Sequence, residues 1–212
     1  MRQCFVSVGF LLLVGACVAG QPVLNTLQSN IIKNTTPNKH HIGDYYGGGI
    51  IYYLSNTPDA PSGQQGLIAA ITDANPERLM LITSGVIGSS TLPDLFTGGT
   101  NTIAMINTAK AAATTAPAAI AAHDFSTTEQ CPTCTPWYLP SQEELGIMYQ
   151  HKKIINAASQ AHGGKVFVNY SYWSSTQLGS KYGWAVNFDD SALDAGGHSL
   201  SAPFMVRAVR AF

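Results

Sequence analysis

The chain has 212 residues, with 11 basic against 12 acidic and only 11% charged residues in all. That length supports one domain with a real core, and the even balance excludes the basic footprint that a nucleic-acid-binding surface requires. Sparse charge alongside abundant glycine, threonine, serine and asparagine suits an exported protein better than a cytosolic enzyme.

Residues 1–20 read as a signal peptide: Arg2, then the apolar run "CFVSVGFLLLV" from Cys4 to Val14. The run is too short to span a bilayer as a helix. Its end can be processed in two ways. "VGAC" resembles a lipobox, which would make the leader end at residue 16 and Cys17 carry lipid; alternatively, cleavage falls before Gln21. A lipid on Cys17 would be the only route to membrane contact. Residues 21–42 are polar and lack periodicity, as expected of a flexible tether, and the domain proper is expected over 43–212.

The domain opens on "GDYYGGGIIYYL", Gly43 to Leu54. Glycines beside a strand could cradle a phosphate. A phosphate loop, however, needs a following helix and a lysine, and neither is present. The run instead leads into a strand, where glycine permits a bulge or close backbone approach. "LIAAITD" from Leu67 is a second apolar strand, and Thr83 to Thr100 reads as loop. Asn101 to His123 is alanine-rich with helical spacing, interrupted at Pro117.

"CPTC" holds Cys131 and Cys134. The pair fits a small disulfide loop ahead of Trp137, or a redox or metal role, though no second cysteine pair completes a zinc site. "PSQEELGIMY" follows, with Ser141 and Glu144 spaced as a capping box and Leu145, Met148 and Tyr149 as an apolar stripe, the helix running on to Gly163. Glu143 and Glu144 are adjacent, so they point about 100° apart and cannot flank one bond as an acid/base pair.

From Lys165 the chain turns to strands: "KVFVNYSYWSST", "YGWAVNFDD" and "PFMVRAVRAF". In the last, Arg207 and Arg210 fall on opposite faces, so one of them is expected to pair with a buried or half-buried acid. The middle strand alternates with Trp184, Val186 and Phe188 on one face, a pattern that reads Trp184 as a core residue. Strands, then helices, then strands give an α+β class with antiparallel sheet. Ile50 to Leu54 is expected to pair directly with Val206 to Phe212.

No HExxH, GxSxG or dinucleotide fingerprint occurs. Asp189, Asp190 and Asp194, near Asn187 and His198, could hold Ca²⁺ through oxygen ligands; the same residues also suit a solvated turn.

Four segments in this order, "GDYYGGGIIYYL", "WYLPSQEELGIMY", "YWSST" with "GWAVNF", and "VRAVRAF", resemble the Lcl C-terminal domain family, named for Legionella collagen-like adhesins. The resemblance covers about Gly43 to Phe212. It implies a C-type-lectin-like fold, also similar to that of the formylglycine-generating enzyme, with two main helical segments and paired terminal strands. It further implies a non-catalytic, adhesin-like binding module, taking a glycan or a host or matrix protein. Its ligand surface would lie in the loops between Trp173 and Pro203, with Tyr182, Trp184, Asp189, Asp190, Asp194 and His198 as contacts. Trp137 and Leu139 would pack the helix start, Trp173 would be a core aromatic, and the Ser174 and Ser175 hydroxyls would bond loop backbone. An envelope lipoprotein with a structural or protein-interaction role is the alternative, and an enzyme on a lectin-like scaffold is a third reading. The chain departs from the family in lacking a collagen-like stalk and the clustered Lys/Arg that sulfated glycans require. It also lacks the EPN, QPD and WND sequences of calcium-dependent sugar binding.

Overall fold

The structure is a computed structural model that describes residues 40–55, 65–83, 91–189 and 194–212. The expected leader, Cys17, residues 21–39 of the expected tether and Asp190 lie outside the described residues. The compact unit includes His40, whose ring packs on Tyr46 (4.4 Å) and Phe212 (5.3 Å).

The opening glycines divide into two uses. Gly47 and Gly48 have φ of +56° and +81° and turn the chain between β1 (Tyr45–Tyr46) and β2 (Gly49–Leu54). Positive φ at both turn positions is the two-residue hairpin geometry that glycine supplies without strain. Gly49 then pairs with Ala70, and a Cβ on it would run into the Ala69 carbonyl.

β3 (Gly66–Ala70) is buried along its whole length and lies in the middle of an antiparallel sheet of order β1-β2-β3-β7, with β7 at Val209–Ala211. The expected direct pairing of Ile50–Leu54 with Val206–Phe212 is therefore not found. One edge of β2 is taken by its hairpin partner β1 and the other by β3, so the C-terminal strand uses β3's free edge, with Ile68 opposite Arg210. The terminal segments share a sheet but are not neighbours in it.

Both faces of this sheet are covered, which is why "IIY" and "LIAA" read as continuous apolar runs. Ile51, Ile68 and Ala70 pack towards α1 (Gly98–Ala111) and α2 (Pro117–His123), with Met105, Ala109 and Ala119. Ile50, Tyr52, Leu67 and Ala69 pack towards α3 (Gln142–Gln150) and α4 (Lys152–Ala161), with Leu145, Met148 and Ile155. Pro117 stands at the first turn of α2, where its missing N–H costs nothing. The helix expected to run unbroken to Gly163 is instead two helices meeting at His151. A straight helix of that length would extend about 30 Å, well beyond the strands it covers, and the break keeps Met148 and Ile155 on one sheet face. No described helix is long and apolar enough to cross a membrane.

A second antiparallel sheet has the order β4 (Ser171–Leu178), β5 (Tyr182–Asn187), β6 (Ala195–Ser199). β4 starts six residues later than the sequence pattern placed it. Lys165 to Tyr170 instead run outside any strand, with Lys165 N–H bonded to the Ile71 carbonyl and Phe167 N–H to Asn156. β6, "AGGHS", has poor strand propensity and suits a turn, yet it pairs antiparallel with β5 from Tyr182 opposite Ser199 to Val186 opposite Ala195. The fold is thus α+β with two antiparallel sheets, as the element order implied.

Candidate functional site

The site is built outwards from the start of α3. Ser141 Oγ accepts the Glu144 N–H (3.3 Å) and Glu144 accepts the Ser141 N–H (2.7 Å), the capping box read from the sequence. The carboxylate also accepts from Phe96 N–H (2.8 Å) and the Tyr138 hydroxyl (3.3 Å), so it joins the start of α3 to the segment that opens α1. Glu144 is fully buried, and burial raises its pKa to about 7 against the pull of its donors. Burial likewise pushes the Tyr52 and Tyr138 hydroxyls well up, with the Glu144 charge adding to it.

This anchoring fixes the loop before α1 as a wall beside α3. Glu143 N–H donates to the Pro93 carbonyl (2.9 Å), Leu95 N–H donates to Glu143 Oε2 (3.0 Å), and Gln142 N–H donates to Thr176 Oγ1 (2.9 Å). Between that wall, the outer face of α3 and β5 lies a groove of about 590 Å³. Its lining combines Trp184, Val186 and Tyr149 with the polar Asp94, Gln142, Glu143 and Gln150.

One glycine borders the groove. Gly146 lies mid-helix in α3, where glycine costs roughly 0.5–1 kcal/mol relative to alanine, and a Cβ there would meet nothing within 4 Å. Its small size therefore serves the groove and not internal packing. An aromatic platform beside planar amides and carboxylates can stack on one face of a ligand while hydrogen-bonding its edge. Among the described lining residues none is basic.

The expected ligand contacts do not form one surface. Trp184 lines the groove and is half-buried. Tyr182, 51% exposed, lies on the same face of β5 beside Leu178. His198 pairs with Gly183 and so points to the opposite face, where its ring meets Phe204 at 5.0 Å. A period-two strand separates neighbouring residues in this way, and a sequence read as an open turn hides it. Asp194 is exposed and bonded through its backbone carbonyl to Asn187 N–H. Asp189 donates its N–H to Asn187 Oδ1 (2.9 Å), a turn contact. Among the described residues no group of three His, Cys, Asp or Glu is placed to hold a metal.

The structural assignments fare differently. Trp173 is fully buried and its indole N–H donates to the Leu79 carbonyl (2.9 Å). Ser174 and Ser175 hydroxyls donate to the carbonyls of Trp184 and Pro140. Arg207 pairs with Asp73 (2.8 Å). Trp137 is buried away from the start of α3, edge-on to Phe125 and beneath the Arg210 guanidinium. Alternation in the extended segment gives the α3 side to Tyr138 instead. Cys131 and Cys134 form a disulfide. The sequence reading missed Asp94, Gln142, Tyr149 and Gln150. The one available signal was Gln142, Gly146 and Gln150 at four-residue spacing on one helix face, with glycine at a costly position.

No family model matches the chain, and no curated protein matches it. Among solved structures, it is similar to a fimbrial protein from Bacteroides ovatus, with a TM-score of 0.60 at 15% identity, over 82% of this chain and 49% of that one. The chain thus spans about half the length of that protein, and the likeness is one of fold.

Proposed function

We propose that this chain is an exported, surface-associated binding module that takes a glycan in the groove between α3 and β5. The carrying observation is that Trp184 and Tyr149 line the same groove as Gln142, Gln150, Glu143 and Asp94, which gathers aromatic surface and hydrogen-bonding groups around one space. The leader-like N-terminus, the fold shared with a fimbrial protein and the resemblance to adhesin domains support the same reading. Two carboxylates and no basic group among the described lining residues favour an uncharged or amino-bearing sugar and oppose a sulfated one.

The test is a glycan array spanning neutral, amino and sulfated sugars, run with the wild type and with Trp184→Ala. Binding to neutral or amino sugars that Trp184→Ala abolishes is the expected result. No binding to any sugar, or binding indifferent to Trp184, would sink the reading and favour a protein-interaction role.

A further inference from the structure

The Cys131–Cys134 disulfide does not stand alone. The loop hangs from the edge of the main sheet through Thr135, whose N–H donates to the Ala211 carbonyl (2.8 Å) and whose hydroxyl accepts Ala211 N–H (2.9 Å). This puts the two sulfurs beside Arg210. A single point, the position a Cβ on Gly47 would occupy, lies 2.9 Å from Cys134 Sγ, 3.2 Å from Cys131 Sγ and 3.0 Å from Arg210 Nη2. The guanidinium is therefore within about 6 Å of both sulfurs, inside the range where a charge shifts the ionisation of a neighbour.

Arg210 is also incompletely satisfied. The residue is 7% exposed, and its Nε and Nη2 are buried with no hydrogen-bond partner. Its guanidinium rests on the Trp137 ring at 4.8 Å, which holds it in place but supplies no acceptor. Glu129 and Tyr46 are the titratable groups whose charge acts on it, and neither partners its Nε or Nη2. Leaving buried donors unpaired is costly, and the acceptor missing in the oxidised form is what a cysteine thiolate would provide. Both cysteines are half-buried, and Pro132 and Thr133 between them are exposed, so an incoming thiol has access.

We infer that Cys131–Cys134 is a thiol–disulfide exchange site whose released thiolate is held by Arg210, rather than a permanent crosslink. A thiolate of an external dithiol attacks one sulfur, the S–S bond breaks, and the other cysteine leaves as the thiolate facing Arg210. The second thiol of the reductant, deprotonated, then attacks the mixed disulfide. The reductant is oxidised to its own disulfide, the first cysteine takes up a proton, and two electrons have passed to the pair. A cation that stabilises the leaving thiolate both speeds the first step and shifts the equilibrium towards the dithiol. Arg210 is in this account a positioning residue.

The experiment titrates thiolate absorbance near 240 nm in the fully reduced protein, then follows reduction of the oxidised protein by dithiothreitol, for the wild type, Arg210→Met and Arg210→Lys. In the wild type one cysteine should ionise below the ordinary value of about 8.5. Arg210→Met should return it towards that value and slow reduction about tenfold or more, with Arg210→Lys falling between. If both wild-type thiols ionise at or above the ordinary value, the inference is overturned, and this arm stands even if Arg210→Met fails to fold. Equal reduction rates in a folded Arg210→Met would overturn it too.

Discussion

Arg207 Nε donates to Asp73 Oδ1 at 2.8 Å, a pair that ties the C-terminal segment to the stretch just after β3, across 134 residues of sequence. Arg207 is fully buried, with Nη1 on the Ala70 carbonyl (2.9 Å) and its guanidinium over the Phe167 ring at 4.3 Å. Asp73 also accepts from the Tyr172 hydroxyl (3.3 Å). Removing one member of such a pair leaves the other charge poorly compensated. Arg207→Met should cost about 3–5 kcal/mol, measured by urea unfolding. A loss under about 1 kcal/mol, the range of an exposed ion pair, would contradict the buried role.

Glu144 gives a pH dependence of defined sign. Its folded pKa is raised to about 7 from an ordinary 4.5, so between those values the folded state holds the proton more tightly than the unfolded chain. The contribution is fully present below about pH 4.5 and is lost as pH rises through 7. Over that window the wild type should lose on the order of 3 kcal/mol relative to Glu144→Gln, whose amide does not titrate. Unfolding free energies at pH 5 and pH 8 for both proteins provide the check, and parallel curves would show that Glu144 is not the source.

Gly146 separates binding from folding. Gly146→Leu should keep or slightly raise the melting temperature, because the site is helical and a Cβ meets nothing. It should also fill the groove and weaken sugar binding at least tenfold. A fall in both would mean the position matters for packing, and a fall in neither would place the ligand elsewhere.

The hairpin glycines predict backbone strain. Gly48 has φ +81°, and a Cβ there would strike the Thr127 side chain. Gly48→Ala should cost about 1–3 kcal/mol, whereas Gly179→Ala, with positive φ but open space around it, should cost less. Equal losses would mean that φ alone sets the penalty.

The elements whose reasons are local were legible in the chain. The Ser141–Glu144 box states the start of α3 in four residues, Pro117 divides α1 from α2, and the apolar run "LIAA" marks a strand buried on both faces. Elements whose reasons are distant were not. "AGGHS" is a strand through its pairing with β5, and the break at His151 carries no proline or other local signal. The groove was the least visible. Trp184 stood out as an aromatic, but its partners come from α3 and from the loop before α1, about 40 and 90 residues upstream.

By itself the sequence determined the α+β class, the capped helix, and the rule that one of two arginines must find an acid. Those follow from propensity, alternation and capping, which act over a few residues. Tertiary structure alone decided that Arg207 finds Asp73 while Arg210 rests on Trp137 near a disulfide with its Nε and Nη2 unpartnered. It also decided that β3 separates the first strand from the last, and that Trp184 and His198 face opposite ways. Sheet order, strand register and the partner of a buried charge are choices among segments far apart in the chain, settled by which arrangement leaves the fewest polar groups and edges unpaired.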